Sequence, residues 1–209
     1  MINQNLAEYW DKKWTEYNEC APNPFAIKLV EFCKSKNKNI KDLKILDLGC
    51  GDGRDSKYFI ENNFNVSAID IAPKSVAKIK ELFGDKINVT CQDLKNLQFN
   101  NESFNVIYSH LTLHYFTDQE TEQIINKIFN LLKKDGVFFI KCKSDKDKLY
   151  GEGEKIAEHT FFKGHVRHFF TLDYLKSKLS KFQILEIDEE NNSSYNGFDS
   201  SFVYAIVKK

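Results

Sequence analysis

Three groups of residues in this sequence have types and spacing suited to chemistry. The first is Ile45-Leu46-Asp47-Leu48-Gly49-Cys50-Gly51-Asp52-Gly53-Arg54, an apolar run that turns through three glycines into a polar segment. Glycines at such a turn permit positive φ and let a ligand approach the backbone, while the helix behind them offers free N–H groups. The second is a pair of acids, Asp70 and Asp93, each closing a short apolar run. Asp70 follows the turn at the ~20-residue distance where a carboxylate can take a ribose hydroxyl pair. The third is histidine, the side chain best suited to move a proton near neutral pH. All five histidines fall in two places, His110 with His114, and His159 with His165 and His168. The turn is not the dinucleotide fingerprint G-x-G-x-x-G, because Arg54 stands where its third glycine would fall. G-x-x-x-x-G-K-[ST] is also absent. For the glycines alone, a tight strand-to-helix turn without a ligand is the competing explanation.

Such groups act only if the fold brings them together. The chain has 209 residues, 42% of them hydrophobic, which fits one compact domain over 1–209 with its own core. Short apolar runs at 44–48, 65–70, 88–92, 104–109 and 136–142 read as strands. They alternate with amphipathic segments at 54–62, 73–83 and 118–134, the last opened by the capping box Thr117-Asp118-Gln119-Glu120. Strand and helix in alternation predict a Rossmann-like, doubly wound α/β sheet with helices on both faces. A helix at 172–179 leads into strands at 182–188 and 202–208, joined through Asn191-Asn192-Ser193-Ser194, so five parallel strands are followed by a hairpin with an antiparallel last strand. Ligands of open α/β sheets bind beyond the carboxyl ends of the strands, where the glycine turn, Asp70 and Asp93 would converge.

Two stretches lie outside this alternation. Residues 1–40 form a helical cap: an aromatic helix at 5–18, with Leu6, Tyr9, Trp10, Trp14 and Tyr17 at helical steps, and a second helix at 24–36. Residues 143–170 are too long for an ordinary connection and too aromatic for disorder, which suits a lid or substrate insertion.

Asp47-Leu48-Gly49-Cys50-Gly51-Asp52-Gly53, Asp70 and Asp93 after the second and third strands, and Gly136 opening the fifth together resemble the class I S-adenosylmethionine (SAM) dependent methyltransferases. The resemblance runs from Lys44 to Lys209. In its cap and insertion the chain is loosely similar to the tellurite-resistance and thiopurine small-molecule type. The resemblance implies SAM as cofactor, S-adenosylhomocysteine as product, and Asp47, Gly49, Gly51, Gly53, Asp70, Ile71, Asp93, Leu94 and Ser109 around the cofactor. Aromatic faces stabilise cations such as a sulfonium, which nominates Trp14 for the cofactor and Tyr9 for the substrate. Arg54 is placed to take the methionine carboxylate. His110 and His114 follow the fourth strand, where substrate meets the methyl group in this family, and are the candidate catalytic residues.

Of 30 basic residues only Arg54 and Arg167 are arginine, whose rigid fork suits carboxylate and phosphate. Lys163, His165, Arg167 and His168 in the insertion therefore form a candidate site for an anionic part of the substrate. The expected reaction is methyl transfer to an oxygen or nitrogen of a small polar metabolite carrying a phosphate or carboxylate. Thirty basic against 30 acidic residues give no general pull on polyanions, so no nucleic-acid partner is expected. Five scattered cysteines without C-x-x-C spacing indicate neither disulfides nor zinc, and no acid at ligand spacing accompanies the histidines, so no metal is expected. A first segment without a basic, apolar leader and the lack of a long apolar run point to a cytoplasmic protein with no membrane partner. Two alternatives share the same core: an RNA or protein methyltransferase, and a non-catalytic SAM-binding regulatory protein.

Overall fold

The computed structural model describes residues 6–13, 21–36, 39–195 and 198–209; Trp14 and Tyr17 lie outside them. Strands β1 (Lys44–Leu48), β2 (Asn65–Asp70), β3 (Ile87–Cys91), β4 (Phe104–His110) and β5 (Leu132–Lys143) are joined by α3 (Arg54–Glu61), α4 (Pro73–Phe83) and α5 (Asp118–Leu131). Ahead of them run α1 (Leu6–Lys13) and α2 (Pro24–Lys36). After β5 come three short strands, β6 (Glu154–Ala157), β7 (Thr160–Phe162) and β8 (Val166–His168), then α6 (Leu172–Lys178), β9 (Gln183–Tyr195) and β10 (Phe198–Lys208).

The main sheet has the order β3-β2-β1-β4-β5-β10-β9, with β1 to β5 parallel and β10 antiparallel to both neighbours. This is the doubly wound sheet with a reversed last strand that the sequence predicts. Central strands are apolar along their length because both faces are covered. On one face Ile124, Ile125, Ile128 and Leu131 of α5 and Leu175 of α6 pack on Leu46, Leu48, Ile107 and Phe138. On the other, Phe25, Leu29, Phe59 and Ile79 of α2, α3 and α4 pack on Ile45, Val66, Tyr108 and Phe139. Burying each such side chain contributes about 1.5–3 kcal/mol.

The structure departs from the sequence reading at three places. β5 starts at Leu132, four residues before Gly136. Gly136 sits inside the strand beside a register shift with β4, where a Cβ would lie 2.9 Å from the Lys133 carbonyl and 3.2 Å from that of Asn105. Asn191 to Ser194 are not a turn but part of β9, whose register with β10 shifts between Ser200 and Phe202 and again between Ile206 and Val207. The insertion is an ordered three-stranded antiparallel sheet, β6-β7-β8. Its two ends meet: Phe170 N–H donates to the Lys143 carbonyl at 2.9 Å, and Asp145 N–H to the Phe170 carbonyl at 3.2 Å.

Candidate active site

A cavity of about 400 Å³ follows the carboxyl edge of the main sheet. Because the strand order is β3-β2-β1-β4-β5, the residues after each strand line up in that order. Asp93 and Leu94 follow β3, Asp70 and Ile71 follow β2, and the glycine turn follows β1. His110 to Phe116 then follow β4, and Lys143 ends β5. Leu6, Trp10 and Lys13 of α1 line the cavity from above the edge.

The turn is built from three glycines at positive φ, Gly49 (72°), Gly51 (55°) and Gly53 (79°). Gly49 N–H donates to the Ile69 carbonyl at 2.8 Å, and Gly51 N–H to Asp70 Oδ2 at 2.8 Å. The three glycines have different reasons to be glycine. A Cβ on Gly49 would stand 2.4 Å from Thr112 Cγ2, so the turn and the segment after β4 touch there. A Cβ on Gly53 would stand 2.9 Å from Ile79 Cγ1, and Gly53 does not line the cavity; it serves helix packing. Gly51 is the glycine tied to the acid of β2.

Five aspartates line the β1 to β3 half of the cavity, and each is held differently. Asp70, 6% exposed, accepts from Gly51 N–H and Ala72 N–H, with the Ile71 backbone as a further donor, which leaves part of the carboxylate's acceptor capacity for a hydroxyl. Asp93 caps a short helical turn by accepting from Lys95 N–H at 2.9 Å. Asp52 is gripped by the Arg54 guanidinium, with contacts of 2.6–3.1 Å, so that arginine lines the cavity with its fork already engaged. Asp55 accepts from Asn23 N–H (2.8 Å), Asn23 Nδ2 (2.7 Å) and Tyr108 Oη (2.8 Å), joining the start of α2, the start of α3 and β4. Asp47, 3% exposed, has one hydrogen bond from Ser56 Oγ at 2.6 Å. Burial, reinforced by the charges of Asp55, Asp70 and Asp52, pushes its carboxyl up to about 8.

The β4 and β5 half carries bases and aromatic rings, with Asp55 reaching it through Tyr108. His110 stacks on Tyr108 with centroids 6.1 Å apart, and burial with the charges of Lys141 and Arg54 lowers it to about 3. His114 is 1% exposed, its Nδ1 has no hydrogen-bond partner among the described residues, and burial pushes it well below 6.5. Trp10 meets Tyr115 edge to face at 5.0 Å, and His165 of the insertion packs on Tyr9 (4.6 Å) and Tyr115 (5.3 Å). The aromatic helix and the insertion thus touch over this half.

Of the residues singled out in the sequence, Asp47, Gly49, Gly51, Arg54, Asp70, Ile71, Asp93, Leu94, His110 and His114 line one cavity. The others do not. Ser109 is fully buried within β4, and Trp14 lies outside the described residues. Tyr9 and His165 stand one layer back, in ring contact with each other. Lys163 and Arg167 pair with Glu152 at 3.1 and 3.5 Å, and Arg167 Nε donates to His165 Nε2 at 3.0 Å. Burial lowers His165 to about 4. His168, 4% exposed, packs against Phe170 and Tyr174. Sequence reasoning missed Asn23, Asp55, Thr112, Tyr115 and Lys143 as lining residues. Only Asp55 carried a signal, as an acid in the first turn of the helix behind the glycines.

Comparison with known proteins agrees with this arrangement. Residues 45–136 match the family described as methyltransferase domain. An uncharacterized methyltransferase of Anoxybacillus flavithermus is 39% identical over 95 residues, covering 44% of this chain and 43% of that protein. Phosphoethanolamine N-methyltransferase 1 of Triticum aestivum is 30% identical over 102 residues, covering 46% of this chain and 20% of that protein. The chain spans less than half the length of these curated relatives. Among solved structures, a Burkholderia thailandensis 1,6-didemethyltoxoflavin-N1-methyltransferase, with 1,6-didemethyltoxoflavin and S-adenosylhomocysteine bound, superposes with a TM-score of 0.73 at 20% identity, covering 97% of this chain and 83% of that one.

Proposed function

Residues 45–136 form a methyltransferase domain on the class I fold, and from that premise we propose that the protein transfers the methyl group of SAM to an oxygen or nitrogen of a small polar metabolite. One observation carries this function: the polarity of the cavity changes along the sheet edge, from hydrogen-bonding acids after β1, β2 and β3 to bases and aromatic rings after β4 and β5. Asp70, with unfilled lone pairs beside a positive-φ glycine turn, suits a ribose. Asp93, flanked by Leu94 and Ile71, suits an adenine edge. When bound there, SAM supplies an already activated methyl group, so the protein's share is alignment and exclusion of water.

His110 and His114 point to the same division of labour. Burial keeps both neutral and weakly basic. Each can accept or donate a hydrogen bond and fix the direction of an acceptor O–H or N–H, while a strong base would need a value nearer the working pH. Trp10, Tyr115 and the Tyr9–His165 contact form a roof against water. A phosphate- or carboxylate-bearing acceptor is the finer reading, and the phosphoethanolamine methyltransferase relative is consistent with it.

The test is formation of S-adenosylhomocysteine by the purified protein with small metabolites, each anionic compound paired with its neutral counterpart, and with bulk RNA. Turnover of small acceptors is the expected result. Turnover of RNA alone, or cofactor binding without turnover of any acceptor, would overturn it.

A further inference from the structure

The cations read from the sequence as an anion site, Lys163 and Arg167, share Glu152 as a partner and lie outside the cavity lining. A different lysine occupies the acceptor half. Lys143 ends β5 and lines the cavity, and its ammonium lies 2.7 Å from Asp147 Oδ2 and 3.3 Å from Ser200 Oγ. Asp147 is itself fixed: its side chain is fully buried and also accepts from Leu149 N–H (3.0 Å) and Ser201 N–H (3.1 Å). An ammonium has three N–H donors, and these two partners take two of them, while the Phe202 ring centroid lies 5.3 Å from the nitrogen. His114 lines the same cavity, almost fully buried, and after burial the charge of Lys143 acts on it most strongly. Trp10 and Tyr115 wall the same half.

Resting on the methyltransferase function above, we propose that Lys143 is the acceptor's anion subsite, which takes the carboxylate of a small planar acid. Lys143 offers its third N–H donor to a carboxylate oxygen. Asp147 acts as a positioning residue that holds the ammonium in place. The aromatic walls select a flat body behind the carboxylate.

The test uses protein saturated with S-adenosylhomocysteine and titrated calorimetrically with benzoate and with benzamide, which share a ring and differ in charge. Benzoate is expected to bind about tenfold or more tightly than benzamide, the size of one lost charge-assisted hydrogen bond. That ratio should fall to near one in Lys143→Met. Because Lys143→Met leaves a buried carboxylate unpaired, Lys143→Met with Asp147→Asn serves as a charge-balanced second variant, with the same expected loss. Lys163→Met with Arg167→Met should keep the ratio. Equal affinity of the two probes on the unmodified protein, or a benzoate preference that survives in the charge-balanced variant, would overturn the subsite. So would a loss confined to the Lys163 and Arg167 variant. S-adenosylhomocysteine binding separates the two claims: intact binding without benzoate preference sinks the subsite alone, whereas no binding by the unmodified protein sinks the methyltransferase reading with it.

Discussion

Replacing Asp47 by Asn tests whether a neutral acid sits at the base of the glycine turn. Burial and three neighbouring carboxylates raise Asp47 from 3.8 to about 8, with only the Ser56 hydroxyl opposing them. A carboxyl raised on folding holds its proton in the folded protein over an interval where the unfolded chain has lost it. Its contribution to stability is therefore fully present below pH 3.8 and is lost as pH rises towards about 8. Each unit in that window removes about 1.4 kcal/mol, so at neutral pH the loss amounts to about 4 kcal/mol. Asparagine resembles the protonated acid, keeps an acceptor for Ser56 Oγ and cannot ionise. Asp47→Asn should match the unmodified protein near pH 4 and exceed it by about 3–4 kcal/mol at pH 7, or ~10 °C in Tm for a chain of this size. Urea unfolding at several pH values between 4 and 8 measures the difference directly. Stability curves that run parallel across that range would refute the argument, because they would mean that Asp47 is ionised in the folded state.

Other consequences can be measured separately. Gly49→Ala should cost about 3 kcal/mol or more, from its left-handed φ and the Thr112 contact. Adding Thr112→Ala should recover the steric part and leave about 1–2 kcal/mol of backbone strain; no recovery in urea unfolding would mean the contact is not the cause. Asp70→Ala should weaken calorimetric binding of S-adenosylhomocysteine at least about tenfold through loss of a charged hydrogen-bond acceptor, and unchanged affinity would remove Asp70 from the site. Because His110 is lowered to about 3 and His114 is also lowered, kcat/KM should show no histidine limb between pH 5 and 8; a half-point near 6.5 lost in His110→Asn would contradict their neutral state. Asp55→Asn should destabilise by about 2 kcal/mol, since one of the three donors around it then faces an amide N–H instead of an oxygen; an unchanged urea midpoint would show that the hub adds nothing.

The parallel core was legible in the sequence because a strand buried on both faces reads as an uninterrupted apolar run. β1, β2, α2 and α4 fall where the pattern places them. The start of β5 was not, since Lys133, Lys134 and Asp135 look like a helix end yet extend along β4 through an irregular register. Strands of three or four residues in the insertion carry too few alternations to register as a period. In the site, the acids after β2 and β3 were readable because a strand end fixes where they point. Thr112, Tyr115 and Lys143 were not, because their roles depend on contacts across the sheet that no local pattern encodes. The lysine and arginine cluster at 163–167 looked available in one dimension, and Glu152 closes it in three.

The hydrogen bonds that bring Lys143 and Asp145 against Phe170 make the insertion a closed excursion that leaves and rejoins the sheet at a single neck. The cavity-lining residues that the sequence assigned to the cofactor lie between 47 and 94, upstream of that neck. The insertion is thus a module hung on that neck: its sequence can change between β5 and α6 while the neck keeps the strands in place, and no residue from 144 to 170 lines the cavity.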